Sequence, residues 1–139
     1  MGSKSDYLEN KVIDHVLGGV TYTPVATTYI ALCTTTPTDA STGATIVEVA
    51  NSNNYSRVSV TINNTNWPNA TAGLKKNGTT ITFPTASGSW GTVTSFAILD
   101  SGTYGAGNVL FWSALDNNKT IDIGDTVSFA INAIQVQED

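Results

Sequence analysis

The chain has a single histidine and a single cysteine, so the side chains that most often serve as base, nucleophile or zinc ligand occur once each. A Ser-His-Asp arrangement would have to use His15, which lies beside Asp14 in a segment of helical period and reads as a packed or solvated side chain. Cys33 sits in a strand-like run with no Lys, Arg or His near it. It reads as a small buried hydrophobe and not as a thiolate. Ordinary zinc sites need four Cys and His ligands, which this chain does not have. Acid–base catalysis needs two carboxylates with separated pKa values in one cleft. Asp100, Asp116, Asp122 and Asp125 are the candidates, and all fall at strand ends, where Asp makes turns. Oxygen ligation of calcium would draw on Asp122, Gly124 and Asp125, with Asp39 in another loop, but the EF-hand spacing is missing. The expectation is a protein without catalytic residues, cofactor or metal.

Aromatic rings offer different chemistry, since sugars stack on exposed ring faces. Trp67, Trp90, Trp112, Tyr55 and Tyr104 are the candidates. Trp112 falls in the most apolar strand and is expected in the core. Trp90 follows the turn Ser87-Gly88-Ser89 and is expected to close one end of the fold against Phe83 and Phe96. Trp67 precedes Pro68 in a polar loop. It is expected to be exposed and, with Tyr55, forms the candidate glycan contact. Five Asn-x-Ser/Thr triplets begin at Asn54, Asn63, Asn69, Asn77 and Asn118. They are expected by chance in a chain this rich in Asn and Thr.

The elements that must position these groups are mostly strands. Leu8, Val12, Ile13, Val16 and Leu17 give an apolar face over a helix at about 6–17. Asp6 and Glu9 read as its capping box, and Gly18-Gly19 as its stop. So short a helix must dock, on its own sheet or on a neighbouring subunit. From about residue 20 the period becomes two. Strands are expected at 27–34, 46–49, 57–62, 79–83, 93–99, 109–115, 119–123 and 126–137. The apolar 93–99 and 109–115 pair reads as a hairpin of doubly covered strands. The last strand changes parity between Val127, Phe129, Ile131 and Ile134, Val136, which suggests a bulge near Asn132. The reading is all-β: a two-sheet antiparallel sandwich or jelly-roll-like barrel with one short N-terminal helix, in one domain over 1–139.

Charge narrows the partners. The net charge is −5, only 12% of residues are charged, and Arg57 is the sole arginine. A nucleic-acid partner needs a basic surface and is not expected. No apolar run is long enough for a membrane span, and the first residues lack the apolar core of a signal peptide.

Several blocks together carry a family resemblance. They are Ser5-Asp6-Tyr7-Leu8-Glu9-Asn10-Lys11-Val12-Ile13-Asp14-His15-Val16-Leu17-Gly18-Gly19, then Tyr29-Ile30-Ala31-Leu32-Cys33-Thr34-Thr35-Thr36-Pro37-Thr38-Asp39, and Glu48-Val49 with Tyr55-Ser56-Arg57. Further on come Ile81-Thr82-Phe83-Pro84 through Trp90-Gly91-Thr92-Val93-Thr94, and Leu110-Phe111-Trp112-Ser113-Ala114-Leu115. With these the chain resembles a family of small bacteriophage virion structural proteins, tail-fibre-like or capsid-decoration-like. Ser56 stands where the family pattern has Ala, a mild departure.

The resemblance implies a virion component, made in the host cytoplasm. The leading expectation is a capsid decoration (cement) protein on the exterior of the head, self-associating, a trimer by preference, and gripping the major capsid protein. The alternative is a tail-fibre-associated module that binds a receptor or host surface glycan, with tail proteins as its partners. Leu8, Val12, Val16, Thr36, Pro37 and Asp39 are the candidate subunit contacts.

Overall fold

The structure, a computed structural model, describes residues 2–138. The strands are β1 (Ser3–Lys4), β2 (Thr27–Cys33), β3 (Val58–Thr61), β4 (Leu74–Lys76), β5 (Ile81–Thr82), β6 (Gly91–Leu99), β7 (Val109–Ile121), β8 (Ser128–Phe129) and β9 (Gln135–Gln137), with one helix, α1 (Asp6–Gly18). The fold is the expected all-β sandwich. Five antiparallel strands form an open sheet in the order β1-β7-β6-β2-β3. No closed barrel forms among the described residues, so the jelly-roll-like alternative falls away. The second layer consists of two ribbons, β4–β9 and β5–β8.

Alternation explains how the layers meet. In β2, Ile30 and Leu32 face the ribbons while Ala31 and Cys33 face away. In β6, Phe96 and Ile98 face the ribbons while Ala97 and Leu99 face away. The first set joins Phe83, Ile81, Ile134 and Val136 in the main core. An aromatic chain runs through it: Trp90 edge-on to Tyr55 at 5.3 Å, Tyr55 stacked on Phe83 at 6.3 Å, and Phe129 between Phe83 and Phe96. Trp90 is therefore core, as expected, and its indole N–H donates to the Asn53 carbonyl at 2.9 Å.

The outer face of the sheet carries small residues because a loop lies on it. Thr34 N–H donates to Val47 O, and Ser95 Oγ to Thr35 O. At Gly43 a Cβ would stand 2.0 Å from the Ala106 carbonyl, so only glycine permits the contact. Pro37 is buried here, and Asp39 accepts from Trp112 Nε1 at 3.2 Å through Oδ1 and from the Asp6 N–H at 2.8 Å through its carbonyl. Trp112 is half-buried and not the fully enclosed core residue expected.

Four expectations change. The N-cap is Ser5 and not Asp6: Ser5 stays extended, accepts from the Leu8 N–H at 3.3 Å, and donates its own N–H to Leu110 O at 3.0 Å. The strands expected at 109–115 and 119–123 are one strand, β7, whose far half is mostly exposed, so of the expected pair only β6 is buried on both faces, and that from Ser95 to Leu99. The last strand is two, β8 and β9, and they pair with different partners. Between them Asn132 takes a left-handed φ of 66°, and Ile131, expected inward, is 56% exposed.

Candidate functional site

The helix base is welded to the sheet and its far end is not. Ser5 is fully buried, and its hydroxyl donates to the Val109 carbonyl. Leu8 is buried and Val12 half-buried against the protein's own body. Beyond them the apolar face leaves the body: Ile13 is 56% exposed, Val16 69% and Leu17 83%. Gly19 ends the helix at φ 66°, and Val20 just after it is 54% exposed. His15 Nδ1 holds the return, 3.0 Å from Val20 O and 3.3 Å from the Tyr22 N–H.

Beside the docked half of the helix lies an apolar groove of about 420 Å³. Ile98, Leu110 and Phe111 form its floor; Leu8, Val12, Tyr22, Ile62, Trp67 and Val136 form its walls. Its charged rim is already paired. Lys4 meets Glu138 at 2.7 Å, and Lys75 donates to Pro68 O at 3.1 Å. The groove therefore offers contact area and little polarity.

The candidate glycan rings do not form an exposed platform. Trp67 is only 7% exposed and Tyr55 4%. Trp67 is drawn in because Asn63 Oδ1 accepts from the N–H groups of Thr65 and Asn66 and folds the loop tightly, while Gly78 packs against Pro68 from the other side. The expectation of an exposed Trp67 is thus corrected. Its Nε1 is buried and finds no partner. Trp67→Ala should now cost about 3–5 kcal/mol, the usual loss for a buried tryptophan, whereas Trp67→Phe should cost far less because it also removes the unpaired donor. Urea denaturation of the two variants checks this. Tyr104, at the tip of the β6–β7 turn, remains exposed.

Among the candidate subunit contacts, Leu8, Pro37 and Asp39 make contacts within their own protomer, Val12 lines the groove, and Val16 and Thr36 are exposed.

The strongest polar cluster is one that motif reasoning missed. Arg57 grips Glu48 with two parallel bonds, Nε to Oε1 at 2.9 Å and Nη2 to Oε2 at 2.8 Å. Its Nη1 donates to the carbonyls of Ser101 and Ala106 at 2.8 and 2.9 Å. Tyr55 donates to Glu48 Oε1 at 2.7 Å and accepts from the Leu32 N–H at 3.0 Å. Both charged side chains are buried. The signal available in sequence was the sole arginine, at the start of an alternating strand-like run and nine positions after a glutamate. The cluster ties the 48–57 segment to the β6–β7 turn. Each side-chain nitrogen and oxygen of Arg57, Glu48 and Tyr55 has a hydrogen-bond partner, which holds the segment in place.

Of the candidate carboxylates, Asp100 and Asp125 serve turns, while Asp116, expected at a strand end, is exposed within β7. Asp100 accepts from the Asn108 N–H at 2.7 Å and from its Nδ2 at 2.8 Å; Asp125 accepts from the Asp122 N–H at 2.9 Å. Among the described residues no three of His, Cys, Asp and Glu gather as a metal site.

Burial, reinforced by the Glu48 charge and opposed by Arg57, pushes the Cys33 thiol up to about 12 from 9.0. Burial, then the charge and hydrogen bond of Glu48, also raise the Tyr55 phenol. The folded protein keeps protons that the unfolded chain releases. The stabilisation is complete below pH 9 and is lost as pH rises toward 12. Stability should fall over that range by up to about 1.4 kcal/mol per pH unit for each group. Tyr55 joins above pH 10, so Cys33→Ala should flatten the limb between pH 9 and 10 and roughly halve the slope above it in thermal melts.

No curated protein matches the chain. A family model described as Podophage GP4 fiber I protein gp80 matches residues 3–137. That span contains β1, the helix, the sheet and both ribbons, so the match takes in the groove, the projecting helix and the Arg57 cluster together. The chain accordingly belongs to the podophage GP4 fiber I protein gp80 family, and is a tail-fibre-like structural protein of a bacteriophage virion.

Proposed function

We propose that the chain is a subunit of a virion fibre at the phage tail, acting by self-association and by contact with other tail proteins, without enzymatic activity. The observation that carries this reading is the family match over 3–137, whose description is a fibre protein. The side-chain chemistry agrees. The Arg57–Glu48 pair and Asp100 are spent on internal ties, and Ile13, Val16, Leu17 and Val20 are left exposed on one short stretch. The sequence favoured a cement protein on the head; the fibre description supports the alternative instead. A host surface glycan suits a fibre as its target, but the buried rings of Trp67 and Tyr55 are not the surface for it.

Gold-labelled antibody against this chain, applied to intact particles, tests the reading. Label at the tail is expected. Label spread over the head would overturn the fibre assignment and restore the decoration one.

A further inference from the structure

One chain carries both an open apolar groove and an exposed apolar helix end. We propose that these two surfaces fit each other between copies: Leu17 and its neighbours on α1 of one subunit seat in the groove of a second. This rests on the self-associating reading above and names its surface.

Four observations argue for a second copy as the occupant. The first is amount. Ile13, Val16, Leu17 and Val20 together expose on the order of 400–500 Å² of apolar surface on one short stretch, as large as the largest patch of a typical monomer, and such patches are often functional. Covering such a patch and its counterpart brings the buried total to roughly 1,000 Å², the lower bound for a specific interface. The second is size. A groove of about 420 Å³ takes roughly three aliphatic side chains at protein packing density. The third is polarity. The rim charges Lys4 and Glu138 neutralise each other and Lys75 Nζ is held by the Pro68 carbonyl, so the rim has little need of an ionic ligand. The fourth is continuity. Leu8 and Val12 wall the groove, and Val16 continues their i, i+4 stripe into solvent, so the apolar surface runs unbroken from groove to helix end.

The base of the arm is rigid. Ser5 fixes its first turn to β7, so the helix end is presented at a set angle and does not wander. Because donor and receiver are different patches, the contact repeats from copy to copy and closes as a reciprocal pair or as a ring. A ring of three copies would be one such closure, and it has the number of subunits that the sequence favoured.

Native mass spectrometry of the free protein is the first measurement, with sedimentation at roughly 100 µM to reach contacts of modest strength. The wild type should be oligomeric. Leu17→Asp changes only an exposed side chain, so the protomer should melt as before while its dissociation constant rises at least ~30-fold, as for loss of an interface anchor. Ile62→Asp, on the groove wall, should do the same. Mixing the two variants is the decisive step. The first keeps an intact groove and the second an intact helix end, so the mixture should form a complex that neither variant forms alone. A monomeric wild type, a Leu17→Asp protein that assembles normally, or a mixture that stays monomeric would each overturn the proposal. Particle labelling reads the fibre assignment separately, so the two can fail independently.

Discussion

Arg57→Ala should lower folding stability by about 3–5 kcal/mol, the usual cost of removing one partner from a buried ion pair. The loss does not come from the attraction alone. The Glu48 carboxylate stays behind, with its side chain only 3% exposed and no counter-charge. The carbonyls of Ser101 and Ala106 lose their donor as well. Each buried group left unsatisfied costs about 1–3 kcal/mol. Since the arginine bridges the 48–57 segment to the β6–β7 turn, hydrogen exchange should speed up in both places and not only at the mutated site.

The pair should also fail to add. Glu48→Leu strands the arginine; Arg57→Ala strands the glutamate. Glu48→Leu with Arg57→Met strands neither and refills the space. The double variant should therefore lose at least ~2 kcal/mol less than the sum of the single changes. Equilibrium denaturation of the four proteins gives the cycle directly. Single losses that add to within about 0.5 kcal/mol would mean that the two side chains are not coupled in solution.

Where residues act through their own local pattern, the sequence was readable. The two-residue period of Ile30 and Leu32 against Ala31 and Cys33 placed β2, and the apolar run at 93–99 placed the doubly covered strand. Ser-Gly-Ser before Trp90 located a turn next to a core aromatic. Where a residue's fate is decided by something distant in sequence, the pattern misled. Trp67 looks like a loop residue, and is buried because Gly78 and Val136 arrive from elsewhere. Ile131 keeps the alternation of a strand and faces water because Asn132 reverses the chain. The candidate site was half legible. The helix's apolar face announced a docking surface, and Leu8, Val12 and Val16 are on it. The groove was invisible, because its floor and walls come from six separate stretches of chain that share no motif.

Asn77 shows the same limit and carries the last prediction. In the sequence it opens one of five chance triplets. In the fold it is fully buried and organises the end of the chain. Its Nδ2 donates to the carbonyls of Thr79 and Ala130 at 2.8 and 2.9 Å, and its Oδ1 accepts from the Ile134 N–H at 2.8 Å. Its backbone carbonyl accepts from the Asn132 N–H at 2.9 Å, which holds the left-handed turn that splits β8 from β9. Asn77→Ala removes three side-chain bonds and strands the buried Ile134 N–H, while the carbonyls of half-buried Thr79 and exposed Ala130 can turn to water, so a loss of about 2–3 kcal/mol is expected. Asn77→Asp keeps the shape yet should cost more, about 4–5 kcal/mol at pH 7, because a carboxylate oxygen then faces two carbonyls in a buried site. The sign of the pH response separates the two. Burial and those carbonyls hold the new carboxyl group's folded pKa above its unfolded value, so the folded state takes up a proton first as pH falls. Relative to Asn77→Ala, the aspartate variant should therefore recover stability between pH 7 and pH 4, when its protonated oxygen can donate to one of the two carbonyls. Urea midpoints at both pH values read this out. An aspartate variant that tracks the alanine variant at every pH would show that residue 77 does not donate to Thr79 and Ala130, and that the turn at Asn132 is held by something else.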